Sequence, residues 1–470
     1  MENRISRRSF LAAAAVSAAA AAMAGCSGKK SREITNITVW NYYNGDQLES
    51  FNKLLSTFND TIGREQNIHV EGSSQGTVND LETNVMEAAE GKVGAAAMPN
   101  IFSAYADTVY ALDQMGLVVD LNDYLTAEEK QAFVPSYVTE GDFDGNGSMK
   151  IFPVAKSTEL LFLNDTDWEK FSADTGVTYA DLATIEGVTR TAELYYDWSD
   201  GKALFGRDAM ANYILEGAKQ LGCTIFDVRN GKMTLHFDHD VVRKLWDNYY
   251  VPFVKGHFAA SGHFRSDDVK TGSILGYVGS CSSATFFPKR VMLSDTQVHD
   301  IEMKVLPAPR FTGGKKVVVQ QGAGMVVTTG TEAEIKASVT FLKWFTMPEN
   351  NIAFSVESGY LPVTTAANDM AAIRASGLQL SKNMEQILDC AVQTVQENAL
   401  YTPGAFADGN AARKALDYGM SDLAAADRDT VLERMAAGQS AEKAMEEFLT
   451  DAYFEAWYQA IRARLEQYEG

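Results

Sequence analysis

Ile151-Phe152-Pro153-Val154-Ala155-Lys156-Ser157-Thr158-Glu159-Leu160-Leu161-Phe162-Leu163-Asn164 sets the organisation of this chain. Pro153 fixes φ and lacks a backbone donor, which places it at a strand start, an edge or a crossing point. Leu160 to Leu163 form an unbroken apolar run suited to a strand buried on both faces. Between them, Lys156 to Glu159 are polar. A strand that leaves one sheet, stays open to solvent over this polar stretch and enters a second core would set Ser157 and Thr158 in a cleft between two lobes. Clefts of that kind close on ligands. The alternative reading is an ordinary strand with a polar first turn.

Upstream, strand and helix patterns alternate. Ile37-Thr38-Val39-Trp40 has the branched and aromatic content of a strand, and Asn44-Gly45-Asp46 turns the chain. Leu48, Phe51, Leu54, Leu55 and Phe58 then recur at helical spacing, with Asp46 and Glu49 as a capping box and Gly63 as the stop. Ile68-His69-Val70 predicts a second strand, and Thr77 with Asp80 opens a helix that Gly91 ends. Residues 101–104 predict a third strand, followed by a helix through Val109 and Leu112 that stops at Gly116. Such alternation predicts an α/β body: a parallel sheet with helices on both faces, whose ligands bind beyond the strand carboxyl ends. Those ends are Trp40 to Asn44, Gln75-Gly76 and Tyr105-Ala106-Asp107.

Asp142-Phe143-Asp144-Gly145-Asn146-Gly147 begins like a calcium loop, but Pro153 occupies the place of the closing acid, so a Gly/Asn hairpin turn is expected. Residues 165–300 carry their own helices, at 210–221 and 241–250, and read as a second lobe. His236 and His239 stand at i, i+3 with no third ligand at a diagnostic distance, which favours a capped strand-to-helix turn over a metal site. In Gly279-Ser280-Cys281-Ser282-Ser283, serines near a helix start can donate to an anionic or hydroxyl-rich ligand, and a small-residue turn packed under a helix is the alternative. Residues 304–308 and 317–320 read as strands. Thr331 with Glu334 caps a helix, Pro348 opens the next and Gly359 ends it, and Tyr360-Leu361-Pro362-Val363 reads as another extended crossing. Beyond it the pattern is helical, with Ser440 as a cap and Phe454, Trp457 and Ile461 on one face.

At 470 residues the chain exceeds what one core supports, so two or three domains are expected. Its formal charge of −21 becomes −23 without residues 1–25, which carry Arg4, Arg7 and Arg8 against Glu2. There is no basic stripe to release counterions, which argues against nucleic acid as a partner. Cys223, Cys281 and Cys390 lack CxxC spacing and read as small buried residues rather than a disulfide framework or metal site. Ser6-Arg7-Arg8-Ser9-Phe10-Leu11 resembles a twin-arginine export signal, and Met23-Ala24-Gly25-Cys26 is a lipobox. The 15 residues from Phe10 to Ala24 fall short of the ~20 needed to span a bilayer. A signal peptide over 1–25, a diacylated Cys26 holding the protein on a membrane and a tether over 26–33 are therefore expected.

Several stretches together resemble the extracellular solute-binding proteins (family 1) of carbohydrate ABC transporters, the glycerol-3-phosphate-binding component above all. These are the first strand and helix, Ser103-Ala104-Tyr105-Ala106-Asp107-Thr108, the 153–164 stretch, Gly279 to Ser283, Gly322-Ala323-Gly324, and Ala337 to Phe345 running on through Pro348-Glu349-Asn350 to Gly359-Tyr360-Leu361-Pro362. The resemblance implies a two-lobed periplasmic-binding-protein-like fold with three interlobe crossings, near Val154, Asp300 and Leu361. Lobe one would hold 34–154 and 301–361, and lobe two 155–300 and 362–470. It also implies ligand contacts at Tyr105, Ser157, Ser283, Gly322, Tyr360 and Arg413, with Asp107 as a neighbour. Tyrosine rings suit a sugar or polyol face, Gly322 would let a backbone N–H approach, and Arg413 offers a bidentate fork to phosphate. Two departures bear on the ligand: Ala106 stands where the relative has an acid, and its second-lobe tryptophans are replaced around Gly206-Arg207-Asp208.

The expectation is thus an extracytoplasmic, lipid-anchored binding protein, not an enzyme, that needs no cofactor or metal. It would capture a sugar, polyol or polyol phosphate and dock on permease subunits. No Gly-x4-Gly-Lys-Ser/Thr motif occurs, so the ATPase would be a separate subunit. The rival is a surface glycoside hydrolase, which needs two carboxylates across the scissile bond. A third class, a non-transporting adhesin, would show no solute-dependent stabilisation.

Overall fold

The apolar runs build two separate sheets in the computed structural model, which describes residues 33–294 and 296–470. Three two-stranded pairs apart, the strands of these sheets are, in chain order, β1 (Thr35–Asn41), β2 (Ile68–Ser74), β3 (Ile101–Ala104), β4 (Glu159–Asn164), β5 (Phe205–Arg207), β6 (Gly276–Ser280), β7 (Met303–Pro307) and β8 (Gly324–Val327). The first sheet has the order β8-β3-β1-β2 and the second β7-β4-β6-β5. β1 runs parallel to β2 and β3, but β8 is antiparallel to β3. In the second sheet only β5 and β6 are parallel. Both sheets are therefore mixed rather than parallel as expected. The strand that runs against the others is β8 in the first sheet and β4 in the second. β8 and β7, which come from far downstream, each close a sheet edge, a pairing that local strand and helix periodicity does not encode.

The helices that position the site are α1 (Gly45–Phe58), α2 (Val78–Ala89), α3 (Ala106–Gln114), α4 (Met210–Gln220), α5 (Glu332–Phe345), α6 (Pro348–Ser358), α7 (Lys382–Glu397), α8 (Gly409–Ala436) and α9 (Asp451–Glu466). Thr77 and Thr331 cap α2 and α5 with reciprocal capping boxes, as their spacing predicts. α1 differs from expectation at both ends. Asn44 holds its N-cap with no side-chain bond, and Asp46 sits inside the first turn, where its charge favours the helix dipole. The helix then runs past Gly63 through a π turn, and Asn67 ends it at φ 58°. Gly63 serves close packing instead, because a Cβ there would lie 2.7 Å from the Ile68 carbonyl.

Each lobe has its own core. Phe51 and Phe58 of α1 meet Phe341, Trp344 and Phe345 of α5 edge-on or tilted in lobe one. In lobe two Trp246 stacks on Tyr250 at 3.6 Å and meets Phe454 and Trp457 of α9. Between the sheets, extended segments lie side by side: Phe152 bridges to Met325, Ser157 to Gln321 and Lys156 to Leu361.

The polar run expected to face solvent is buried: Lys156, Ser157, Thr158 and Glu159 are at most 2% exposed. The segments cover one another and the charges are paired inside. Lys156 forms an ion pair with Glu140 and donates to the Gly322 carbonyl at 2.7 Å. Glu159 accepts from Arg207 and Asn212, each at 2.8 Å. Buried charge is tolerated when paired in this way. The middle crossing is also displaced from the expected position near Asp300. β7 joins the second sheet against β4, and Val317–Val319 pairs with Ala399–Tyr401, so the chain turns towards the first sheet only after residue 319. An alternating apolar strand such as β7 fits either sheet, and only packing against Leu160 and Phe162 assigns it.

Residues 142–147 form no hairpin. Asp142 accepts the N–H groups of Asn146 and Gly147, each at 3.0 Å, closing the loop on itself. His239 lies between Asp240 and Glu455, and His236 stands 3.9 Å from Asp227. Among the described residues no group of three His, Cys, Asp or Glu side chains is placed to hold a metal. Cys281 is buried, Cys223 and Cys390 are half-buried, and all three thiols are free. Among the described residues no helix is long and apolar enough to cross a membrane. The expected signal peptide over 1–25, Cys26 and nearly all of the tether lie outside the described residues.

Candidate functional site

The carboxyl ends of β1 and β3 deliver Tyr42, Asn44 and Tyr105 to one wall of a cleft. Lobe two supplies Asp208 after β5, Ser282 and Ser283 after β6, and Arg413 from α8. The cleft has two chambers. One, of about 280 Å³, is lined by Glu82, Tyr105, Asp107, Asn212, Gln321 and Arg413 among others. The second, of about 690 Å³, is lined by Tyr42, Tyr360, Ser283, Phe264, Phe286 and Met292 among others. They adjoin, since the consecutive residues Asp208 and Ala209 face one chamber each. A cavity of about 930 Å³ lies wholly within lobe two, around Lys219, Cys223, His236 and Arg462, and touches no residue of the cleft.

Three of the expected contacts come together in the smaller chamber. Tyr105, at the N-cap of α3, is 36% exposed. Asp107 follows in the first turn of α3. Burial pushes its carboxyl up to about 6, against the opposing pull of the Arg413 guanidinium and the Phe406 N–H. Arg413 donates from Nη2 to Asn212 Oδ1 at 3.1 Å, and its other donors have no protein partner among the described residues. α8 also reaches lobe one through Asn410, which donates to Glu82 at 2.9 Å.

Ser283 and Tyr360 line the larger chamber. The Ser283 hydroxyl is already donated to the Ser280 carbonyl at 2.7 Å. The Tyr360 ring is only 4% exposed and lies parallel to Phe354, while its hydroxyl stands 3.2 Å from that of Tyr42. Ser157 and Gly322 line neither chamber. Both polar backbone groups of Ser157 are bonded to Gln321, each at 2.9 Å. Gly322 has φ 88°, and a Cβ on it would lie 2.5 Å from the Ala155 carbonyl. The structure therefore places these two in the segments joining the sheets, where small size and positive φ are the requirement.

Sequence reasoning missed Tyr42 as a single residue, although it lies in the flagged end of β1. Asn212 and Glu82 carried no signal, because each is one polar residue inside an otherwise ordinary helical pattern.

The raised Asp107 carboxyl has a measurable consequence. A carboxyl whose pKa is higher folded than unfolded adds stability that is fully present below the unfolded value of 3.8 and is lost as pH rises through about 6. Asp107→Asn is therefore expected to match the wild-type melting temperature at low pH and to exceed it at neutral pH. Melting curves across that range check the sign.

Residues 53–378 match the profile of a family described as bacterial extracellular solute-binding protein. No curated protein sequence matches the chain. Among solved structures, the chain is similar to a cyclic alpha-maltosyl-1,6-maltose binding protein from Arthrobacter globiformis, with TM-score 0.67 and 16% identity over 92% of this chain and 100% of that one. It is similar to UgpB from Mycobacterium tuberculosis, solved in complex with glycerophosphocholine, with TM-score 0.66 and 18% identity over 91% and 98% of the two chains. The GacH receptor of Streptomyces glaucescens, solved without ligand and with acarbose, gives TM-score 0.66 and 15% identity over 93% and 100%. At these identities the likeness speaks for the two-lobed fold, and the profile match over most of the chain speaks for descent. This chain belongs to the bacterial extracellular solute-binding proteins, a family of binding proteins rather than enzymes.

Proposed function

We propose that the protein is the membrane-anchored receptor of an ABC importer, binding a sugar, polyol or polyol phosphate in the interlobe cleft and passing it to permease subunits. The observation that carries this reading is the polar chamber formed by both lobes, in which Arg413 presents a guanidinium with a single neutral partner among the described residues. Such a fork suits a phosphate or a pair of vicinal hydroxyls. The chamber has Tyr105 and Asp107 on lobe one and Arg413 on lobe two, so a solute touching both is bound better by the closed form and shifts the population toward it. The segments around Ser157, Gln321 and Leu361 would be the hinge. The extracytoplasmic family fits attachment through Cys26, and the neighbours solved with sugars and with glycerophosphocholine fit either a neutral or a phosphorylated solute.

The glycoside hydrolase reading is weaker. Of the carboxylates lining the chamber, Glu82 and Asp107 come from neighbouring helices on the same wall, and Glu140 is paired with Lys156. Asp417 on the lobe-two side already accepts the Met210 and Ala211 N–H groups, so they do not present an unengaged pair on opposite sides of a bound bond. A thermal-shift screen against sugars, polyols and their phosphates tests the proposal. One class of solute should raise the melting temperature saturably, by the equivalent of about 3–4 kcal/mol for a tight binder in large excess. Release of free sugar from glycosides, with no saturable stabilisation, would transfer the protein to the rival class.

A further inference from the structure

The larger chamber has a chemistry that the solute-binding reading alone does not explain. Its lip is apolar and open: Phe264, Phe286 and Met292 are 56, 48 and 45% exposed. They belong to lobe two, yet Phe286 faces lobe one closely enough that a Cβ on Gly45 would lie 3.9 Å from its ring. The apolar groups therefore cluster at a concavity between the lobes rather than on an outer face. Large apolar side chains left open at one concavity mark a binding surface.

Most of the polar groups of this chamber, Asn44 and Ser266 excepted, are by contrast engaged inside the protein. Ser283 donates to the Ser280 carbonyl, and the hydroxyls of Ser280 and Ser282 pair at 2.9 Å. Gln47 donates to the Ser282 carbonyl at 3.0 Å, and Tyr42 and Tyr360 pair with each other. Asp208 accepts the Arg265 N–H at 3.0 Å. The chamber's charged side chains Lys270, Lys289 and Arg290 are exposed. A sugar ring placed here would bring hydroxyls that find few unused partners, whereas an aryl or short alkyl group needs none. The adjoining polar chamber is the opposite case. Among the described residues Arg413 has one neutral partner there, and the buried Oε1 of Gln321 has none.

We infer, building on the solute-binding reading, that the cleft is shaped for an amphiphilic solute. Its polar head would sit in the chamber of Arg413, and an aryl or short alkyl substituent would lie against Phe264, Phe286 and Met292, as in an aryl or alkyl glycoside rather than a free sugar. Two titrations of the full chain test this. The first uses N-phenylnaphthylamine, an uncharged dye that brightens in apolar surroundings. Saturable binding is expected, weakened by about tenfold or more in Phe264→Ser and Phe286→Ser and retained in Phe286→Leu and in the distant exposed control Leu432→Ser. Absence of saturable binding, or equal binding by the serine variants, would overturn the inference.

The second compares methyl and phenyl glycosides of glucose, galactose, mannose and xylose by calorimetry. The phenyl member of a binding pair should be tighter by about tenfold or more. Equal affinity within every binding pair would reject the assigned substituent. Dye binding that depends on Phe286 with no glycoside bound at all would leave the apolar chamber standing and remove the carbohydrate reading, so the two failures are separable.

Discussion

Lys156→Met is expected to destabilise the protein by about 3–5 kcal/mol, because it strands the Glu140 carboxylate in the interior without its partner. Lys156 is wholly buried and the Glu140 side chain is 4% exposed. Gln320 would remain as a neutral donor to that carboxylate at 3.1 Å, which is poor compensation for a lost cation. Urea unfolding gives the loss directly. The double variant Lys156→Met with Glu140→Gln removes both charges and should lose clearly less than the single one. A loss below about 1 kcal/mol in Lys156→Met would mean that water reaches the pair as it reaches surface pairs. The position also matters for motion. Lys156 pairs through its backbone with Leu361 and through its ammonium with the Gly322 carbonyl, so it ties together the segments that run between the sheets.

Arg413→Ala is expected to weaken binding of a phosphorylated solute by about 2–5 kcal/mol, or at least about thirtyfold, while a neutral solute keeps its affinity within about threefold. The fold should survive, since among the described residues the guanidinium bonds only to Asn212. Arg413→Lys keeps the charge but loses the planar fork and should fall between the two. Calorimetric titration of matched sugar and sugar-phosphate pairs separates the cases, and equal loss for both members would remove the phosphate role. The chain's charge of −21 does not settle the matter in advance. Exposed charges are screened beyond about 8 Å at physiological salt, so the groups around Arg413 decide. Asp107, Glu82 and Asp417 are among these, and protonation of Asp107, held up to about 6, would favour an anion as pH falls.

Much of the local structure was legible in the residues themselves. The capping boxes of Thr77 and Thr331, the Pro348 start and Gly359 end of α6, and the Leu160 to Leu163 run of β4 each state their conformation within a few positions. Backbone hydrogen bonding and burial periodicity are short-range, and they fix helices and strands wherever local preference and pattern agree. The placement of Tyr105 and Asp107 beyond β3 followed from the same logic, because a strand's carboxyl end is known once the strand is.

Tertiary structure alone decided the partners. β7 and β8 could have closed either sheet on their own patterns, and packing put one in each. The family resemblance implied ligand contacts at Ser157 and Gly322, whereas the structure sets both in the segments that join the sheets, with neighbouring backbone bonded to one and packed against the other. Lys156 and Glu159 read as exposed because charged residues usually are. Their burial depends on Glu140 and Arg207, which lie 16 and 48 positions away along the chain. A sequence determines what each residue can do. Which groups are used up inside the protein, and which are left facing the cleft, is set by contacts between residues far apart along the chain.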